Sequence, residues 1–210
     1  MLNNRTAESP EAVQLLGECH PLLQQLGAAD CLFTLSGMAT SLCLPRVDCL
    51  AGLARFLKSY QSQVLNSLEL PSIYRAHQHA SRSETRELVA LDVEVGARTN
   101  HRDLASASQR VGRSQLEKLR PLRDARIVQR YLQAVETDRA QAWHTLVFGL
   151  TLAVYSLPAR QGLFSYARQT LRGFIQAAAR PLCLSAADCG GLLEERCAEL
   201  PAALENVFRR

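Results

Sequence analysis

A chain of 210 residues with 47% hydrophobic content is long enough to bury a real core and short enough to be one compact domain. The formal net charge is only +4, with 20 acidic residues spread among 24 basic ones, which gives no one-signed polyelectrolyte. The seven cysteines, Cys19, Cys31, Cys43, Cys49, Cys183, Cys189 and Cys197, form no C-x-x-C pair, and their odd number without a secretory leader argues against a disulfide scaffold and for a reducing cytoplasm.

In chain order, helix signals dominate and strand alternation is missing. Ser9-Pro10-Glu11 is an N-cap with proline at the first helical position, opening a helix that carries Val13, Leu16, Leu22 and Leu23. Residues 27–45 form the longest irregular stretch. Asp48 then caps a helix with Leu50, Leu53, Phe56, Leu57, Tyr60 and Val64 on one face, and Pro71 starts another through Tyr74 and His77. Ser83 begins a helix with Leu88, Leu91 and Val95.

From Arg98 to Leu119 the chain reads as one polar helix, with Thr99 near its cap, Leu104, Val111, Leu116 and Leu119 as a narrow apolar seam, and Pro121 as its stop. Gly112 costs this helix about 1 kcal/mol relative to Ala, so a close backbone approach by a neighbour is expected there. Ile127, Val128, Tyr131, Leu132 and Val135 mark a short amphipathic helix. The nearly uncharged stretch 140–157 reads as the most central helix; His144, Gly149 and Pro158 within and beside it make it a core element rather than a membrane span. Residues 163–179 follow with Phe164, Ala167, Leu171, Phe174, Ile175 and Ala178. Ser185 to Asp188 resembles a capping arrangement for a helix over 189–199, and 201–208 is a last short helix or tail. The expected fold is a single-domain, all-α bundle of about nine or ten helices, with residues 1–10 as a loose lead-in.

Catalytic patterns are weak. The glycines follow no phosphate-loop spacing, H-E-x-x-H is absent, and Ser36-Gly37 lacks both the preceding strand and the G-x-S-x-G frame of a nucleophile turn. His77 and His79 lie two apart on an expected helix and point away from each other, so with His101 they read as solvated side chains. Cys183, Cys189 and Cys197 have better ligand spacing, yet thiols packing as small hydrophobes are the more common case. No enzyme activity and no bound metal are expected. His144, beside Trp143, reads as a core or interface histidine.

Three blocks carry a family resemblance. Arg102-Asp103-Leu104, Ala107-Ser108 and Gly112-Arg113 resemble, without a gap, the R-E-L-R-x-A-S-x-x-x-G-R-x-L helix of the UreF family of urease accessory proteins. The run from Trp143 and His144 through Phe148-Gly149 to Leu157-Pro158 resembles that family's H-x-x-V-F-G helix. Phe33 to Ala39, with Ser36-Gly37, is similar to its F-x-H-S-x-G-L-E loop, although Met38-Ala39-Thr40 replaces Gly-Leu-Glu, and Pro181 to Ser185 lacks the family's Gly-Gln pair.

The resemblance implies a urease maturation factor, a non-catalytic adaptor. It would form a homodimer, bind a UreD/UreH-type accessory protein, recruit the nickel-carrying UreG-type GTPase and dock on apo-urease, with nickel and GTP handled by those partners rather than bound here. The residues expected at partner surfaces are Ser36, Gly37, Arg98, Arg102, Asp103, Ser108, Gly112, Arg113, His144 and Gly149, with Phe164, Tyr166 and Phe174 as apolar candidates. Arg102, Asp103, Ser108 and Arg113 serve equally well, on sequence alone, as an internal network around Gly112. Two alternatives stand beside this reading: a UreF-like helical interaction protein no longer coupled to urease, and an arginine-rich nucleic-acid-binding domain. The latter is disfavoured by 6% aromatic content and interspersed acids, so neither nucleic acid nor membrane is an expected partner.

Overall fold

The computed structural model describes residues 34–98 and 102–209, and every regular element among them is helical. In chain order these are α1 (Leu35–Ser41), α2 (Leu50–Tyr60), a π-helical segment (Gln61–Glu69), α3 (Leu70–Ser81), α4 (Thr85–Arg98), α5 (Arg102–Leu119), α6 (Arg126–Glu136), α7 (His144–Val154), α8 (Ala159–Ala179), α9 (Ala186–Ala198) and α10 (Leu200–Phe208). Counting uninterrupted runs as one helix leaves eight among the described residues, slightly fewer than the nine or ten expected. The reduction arises because α2, the π segment and α3 are continuous, and because α9 and α10 are separated only by Glu199, which keeps near-helical torsions and lets them count as one. The expected helix after Ser9-Pro10, the Thr99 cap, Cys19, Cys31 and His101 lie outside the described residues.

Several local expectations are met. Ser185 and Asp188 form a reciprocal capping box, with Asp188 N donating to Ser185 Oγ at 3.1 Å and Ser185 N donating to Asp188 Oδ2 at 3.0 Å. The stripes on α4, α6 and α8 are buried as their periodicity requires. Others need correction. Arg98 ends α4 instead of opening the polar helix, which starts at Arg102. The central helix is shorter than 140–157, because residues 140–143 form an irregular lead-in to α7. Cys49, not Asp48, occupies the N-cap of α2, its Sγ accepting from Gly52 N.

Pro71 does not begin a separate helix. Its ring crowds the carbonyl four residues back and it has no amide to donate, and the wider π turn just ahead accommodates both without breaking the rod. The π segment also carries Glu69 into the core. There Tyr60 Oη donates to Glu69 Oε2 at 2.7 Å and the Tyr166 hydroxyl approaches the same carboxyl. Burial pushes the Glu69 carboxyl up to about 7, against the two tyrosine contacts, which favour its ionised form.

Five helices, α1, α3, α6, α7 and α8, end the same way. The residue after the last turn has positive φ (Cys43, Ser83, Asp138, Ser156 and Cys183), and the next amide reaches back to the carbonyl five residues earlier, as in Leu157 N to Leu152 O at 2.8 Å. This is the Schellman stop, built without glycine at each of these ends.

The core has two clusters. One gathers α1, α2, α8, α9 and α10 around the aromatic group Phe56, Tyr60 and Phe174, with ring centroids 4.9 to 6.2 Å apart. The other gathers α4, α5, α6 and the lead-in to α7. Helices α3 and α7 contribute to both: Ile73 and Phe148 face the first, Ala76 and Leu146 the second. Gly149 makes this pairing tight, because a Cβ there would lie 2.3 Å from the Ile73 carbonyl oxygen. No helix among the described residues is long and apolar enough to cross a membrane.

Two outcomes are expected. Ser156→Gly removes a positive-φ penalty at an exposed turn and should stabilise the fold by about 1 kcal/mol in urea titrations. For Glu69 the folded form holds its proton more tightly than the unfolded chain, so its contribution is largest below about pH 4.5 and is lost as pH rises to about 7. Between pH 5 and pH 8 that loss is on the order of 2 to 3 kcal/mol, and Glu69→Gln should remove it from the measured profile. An identical pH profile in the two proteins would contradict this assignment.

Candidate functional site

The polar helix α5 is fastened to the N-terminal end of α7, and the fastening starts from a short chain segment that is under strain. Residues Ala140 to Trp143 carry Ala142 at φ 59°, a conformation an alanine adopts only when its surroundings impose it. Asp92, 1% exposed in the middle of α4, supplies that constraint. Its carboxylate accepts from Gln141 N at 2.6 Å, from Ala142 N at 3.0 Å, from the Trp143 backbone and from Tyr131 Oη at 2.6 Å. Burial raises the Asp92 pKa, while the four donors work in the opposite direction by stabilising its charge. Beyond the clamp, Trp143 packs its indole beside Gly96 of α4.

Helix α5 approaches this segment with two small residues one turn apart. A Cβ on Gly112 would sit 1.9 Å from the Ala142 carbonyl oxygen and 2.8 Å from His144 N, so no other residue fits without moving backbone. One turn earlier, buried Ser108 accepts a hydrogen bond from His144 N at 3.2 Å, satisfying an amide that the start of α7 leaves without an intrahelical partner. The expected close approach at Gly112 is thus a contact between α5 and the first turn of α7. His144 itself is fully buried, its ring 5.9 Å from Tyr166 and 6.3 Å from Phe148.

The opposite face of α5 is open. Arg110 and Glu117 are exposed on it, and Arg113 is exposed on the flank beside the packed face. Arg113 donates to the Gln141 carbonyl oxygen at 3.4 Å and to Gln141 Oε1 at 3.2 Å, tying that flank to the clamped segment. Arg120 bridges Glu117 at 2.6 Å and Glu136 at 2.7 Å. Arg98 lies at the end of α4 in an ion-pair chain with Glu94 and Arg75, at 3.1 and 2.8 Å. Arg102 and Asp103 fall in the first turn of α5.

Of the ten residues singled out from sequence, Ser108, Gly112, Arg113 and His144 therefore converge. Gly149 shares α7 but faces α3. Ser36 and Gly37 stand apart, exposed on α1, whose Met38 and Ala39 pack into the other core cluster; Thr34 Oγ1 caps that helix by accepting from Gly37 N at 3.1 Å. Phe164, Tyr166 and Phe174 are at most 7% exposed, so they form core and not an apolar partner surface; on α8 they belong to the inward stripe. Asp92 is a functional residue outside those ten, and its signal in the sequence is an acid on the same helical face as Leu88, Leu91 and Val95.

His77 and His79 both lie on α3, which continues to Ser81, and His79 Nδ1 is 2.8 Å from Glu84. Burial lowers the His77 pKa. Cys183 is exposed and the Cys197 thiol is pushed up to about 11 by burial, unfavourable for a thiolate ligand. Among the described residues, no three histidine, cysteine or acidic side chains gather as a metal site.

The arrangement is that of an all-helical scaffold presenting a rigidly mounted polar helix, with Gly112 as the residue that allows the mounting. The chain belongs to the UreF family of urease accessory proteins, whose family model matches residues 47–195 and so includes α5, α7 and the clamp between them. No curated protein matches the chain.

Gly112→Ala should cost about 3 kcal/mol or more of unfolding free energy, because the clash is with backbone on a clamped segment. Ser108→Ala should cost about 1 to 2 kcal/mol, by leaving the His144 amide unsatisfied. Equilibrium denaturation checks both, and a Gly112→Ala protein as stable as wild type would contradict the packing described.

Proposed function

We propose that this protein is a non-catalytic adaptor in urease maturation, which recruits a UreG-type GTPase together with a UreD/UreH-type accessory protein so that nickel is inserted into apo-urease. Nickel and GTP are bound by those partners, the adaptor works in the cytoplasm as a homodimer, and it binds no cofactor itself. Family membership supports the urease connection. The observation that carries the adaptor reading is the mounting of α5: one face is locked to α7 through Ser108 and Gly112, while Arg110 is exposed on the far face and Arg113 on the flank, where it is steadied by Gln141.

A recognition surface gains from such rigidity, because side chains presented from an ordered helix lose less freedom on binding. Guanidinium groups suit it further, since each offers a planar fork of donors to a carboxylate of the partner. Within this reading Arg98, Arg102, Asp103 and Arg113 contact the partner directly. Ser108, Gly112, His144 and Gly149 act from inside by fixing where α5 sits. Ser36 and Gly37, on α1, serve a second contact.

Co-purification of the chain with the UreG-type and UreD/UreH-type proteins of its own organism tests the proposal. Wild type is expected to form a stable complex that Arg110→Ala/Arg113→Ala weakens about tenfold, with unchanged circular dichroism. Failure of the wild-type protein to associate, with all components folded, would overturn the urease coupling and favour a helical interaction protein with another partner.

A further inference from the structure

A run of buried polar groups leads from the first core cluster to the seat of α5. It starts at Glu69, 6% exposed at the end of the π segment, which accepts from Tyr60 Oη of α2 at 2.7 Å and is approached by the Tyr166 hydroxyl of α8. The Tyr166 ring lies 5.9 Å from the His144 imidazole and 5.0 Å from the Phe148 ring, both on α7. His144 and Tyr166 are fully buried. The backbone amide of His144 is the donor that Ser108 of α5 accepts from, and it also stands 2.8 Å from where a Cβ on Gly112 would be. Carboxyl, phenol, imidazole and the packed face of α5 thus follow one another in a close-packed interior, where displacement of one group is felt by the next.

Glu69 is the group in this run whose charge changes near neutrality. Burial pushes its carboxyl up to about 7, and the two tyrosine hydroxyls act against burial by favouring the ionised form. The charged groups on neighbouring elements are engaged elsewhere. Arg196 of α9, whose carbonyl accepts from Gln61 at the start of the π segment, pairs with Glu195 and Glu199, and Glu205 of α10 pairs with Arg160. His77 on α3 is kept neutral at this pH by burial. The two forms of Glu69 require different hydrogen bonds. Ionised, it only accepts and draws both tyrosine hydroxyls in as donors; protonated, it donates as well, so that a hydroxyl beside it must turn.

We propose that Glu69 is a proton-operated switch on the seat of α5: ionisation of its carboxyl re-aims the Tyr166 hydroxyl, the adjoining His144 ring follows, and the contact of Ser108 and Gly112 with the first turn of α7 shifts with it. The guanidinium-bearing helix therefore sits differently in the two protonation states. Any consequence for partner binding rests on the adaptor reading, whereas the response of α5 itself is read on the free protein.

Nuclear magnetic resonance of the free, full-length protein between about pH 5 and pH 8 tests this. In wild type the Glu69 side-chain carboxyl carbon and the amides of Ser108, Gly112 and His144 should titrate together, with one midpoint near pH 7. Glu69→Gln should abolish the titration of the three amides. Tyr166→Phe should leave the Glu69 carbon titrating while the α5 amides no longer follow it. A Glu69 carbon that does not titrate in this range, α5 amides that stay still while it does, or amides that titrate unchanged in either variant would each overturn the proposal. Silent α5 amides in a protein that still assembles with the UreG-type GTPase would sink this inference alone, and titrating amides in a protein that forms no such complex would sink the adaptor reading alone.

Discussion

A single buried carboxylate sets the position of the helix on which the functional reading rests. Asp92 takes up consecutive backbone amides of the segment before α7, plus the Tyr131 hydroxyl, and so holds Ala142 in a left-handed conformation it would not otherwise adopt. With that segment fixed, the Ala142 carbonyl and the His144 amide become a surface that α5 can meet at backbone distance, provided residue 112 is glycine and residue 108 can accept a hydrogen bond. Removal of the carboxylate would free the strained segment, and α5 would lose its register. A charge placed in a core usually costs stability, but four donors here stabilise it and turn it into a specificity device.

The other half of the molecule is organised by apolar packing and one buried acid. Helices α3 and α7 run through both core clusters, and Gly149 allows them to approach closely enough to act as one unit. Glu69, the last residue of the π segment, reaches the first cluster and accepts from Tyr60 there. Its raised pKa makes that cluster's stability depend on pH, with loss on the alkaline side, whereas the surface acids Glu117 and Glu205, lowered by Arg120 and Arg160, act in the opposite sense.

Most of the helical layout was legible in the sequence, because three- and four-residue spacing of apolar side chains directly reports which face is buried. The stripes on α4, α6 and α8, the capping box at Ser185 and the special status of Gly112 followed from local patterns. Features set by the backbone at a distance were not legible. The Schellman stops use Cys, Ser and Asp where glycine is the usual signal, so nothing in those residue types announced them. The π segment reads as ordinary helix, and Phe164, Tyr166 and Phe174 were offered as a surface because aromatic character alone does not tell an inward stripe from an outward one. For the candidate site, Ser108 and Gly112 were found by pattern, whereas their meeting with His144, and the role of Asp92, required the tertiary placement of α7.

Amide hydrogen exchange at Gln141 and Ala142, compared between wild type and Asp92→Asn, tests the central claim most directly. Asparagine keeps the shape but offers one carbonyl oxygen where the carboxylate offers two charged acceptors. The account predicts that both amides exchange slowly in wild type and at least about tenfold faster in the variant, together with the Gly112 turn of α5, while protection in α2 and α8 is unchanged. Equal protection of Gln141 and Ala142 in the two proteins would mean that the carboxylate does not hold the segment, and the mounting of α5 would need another explanation.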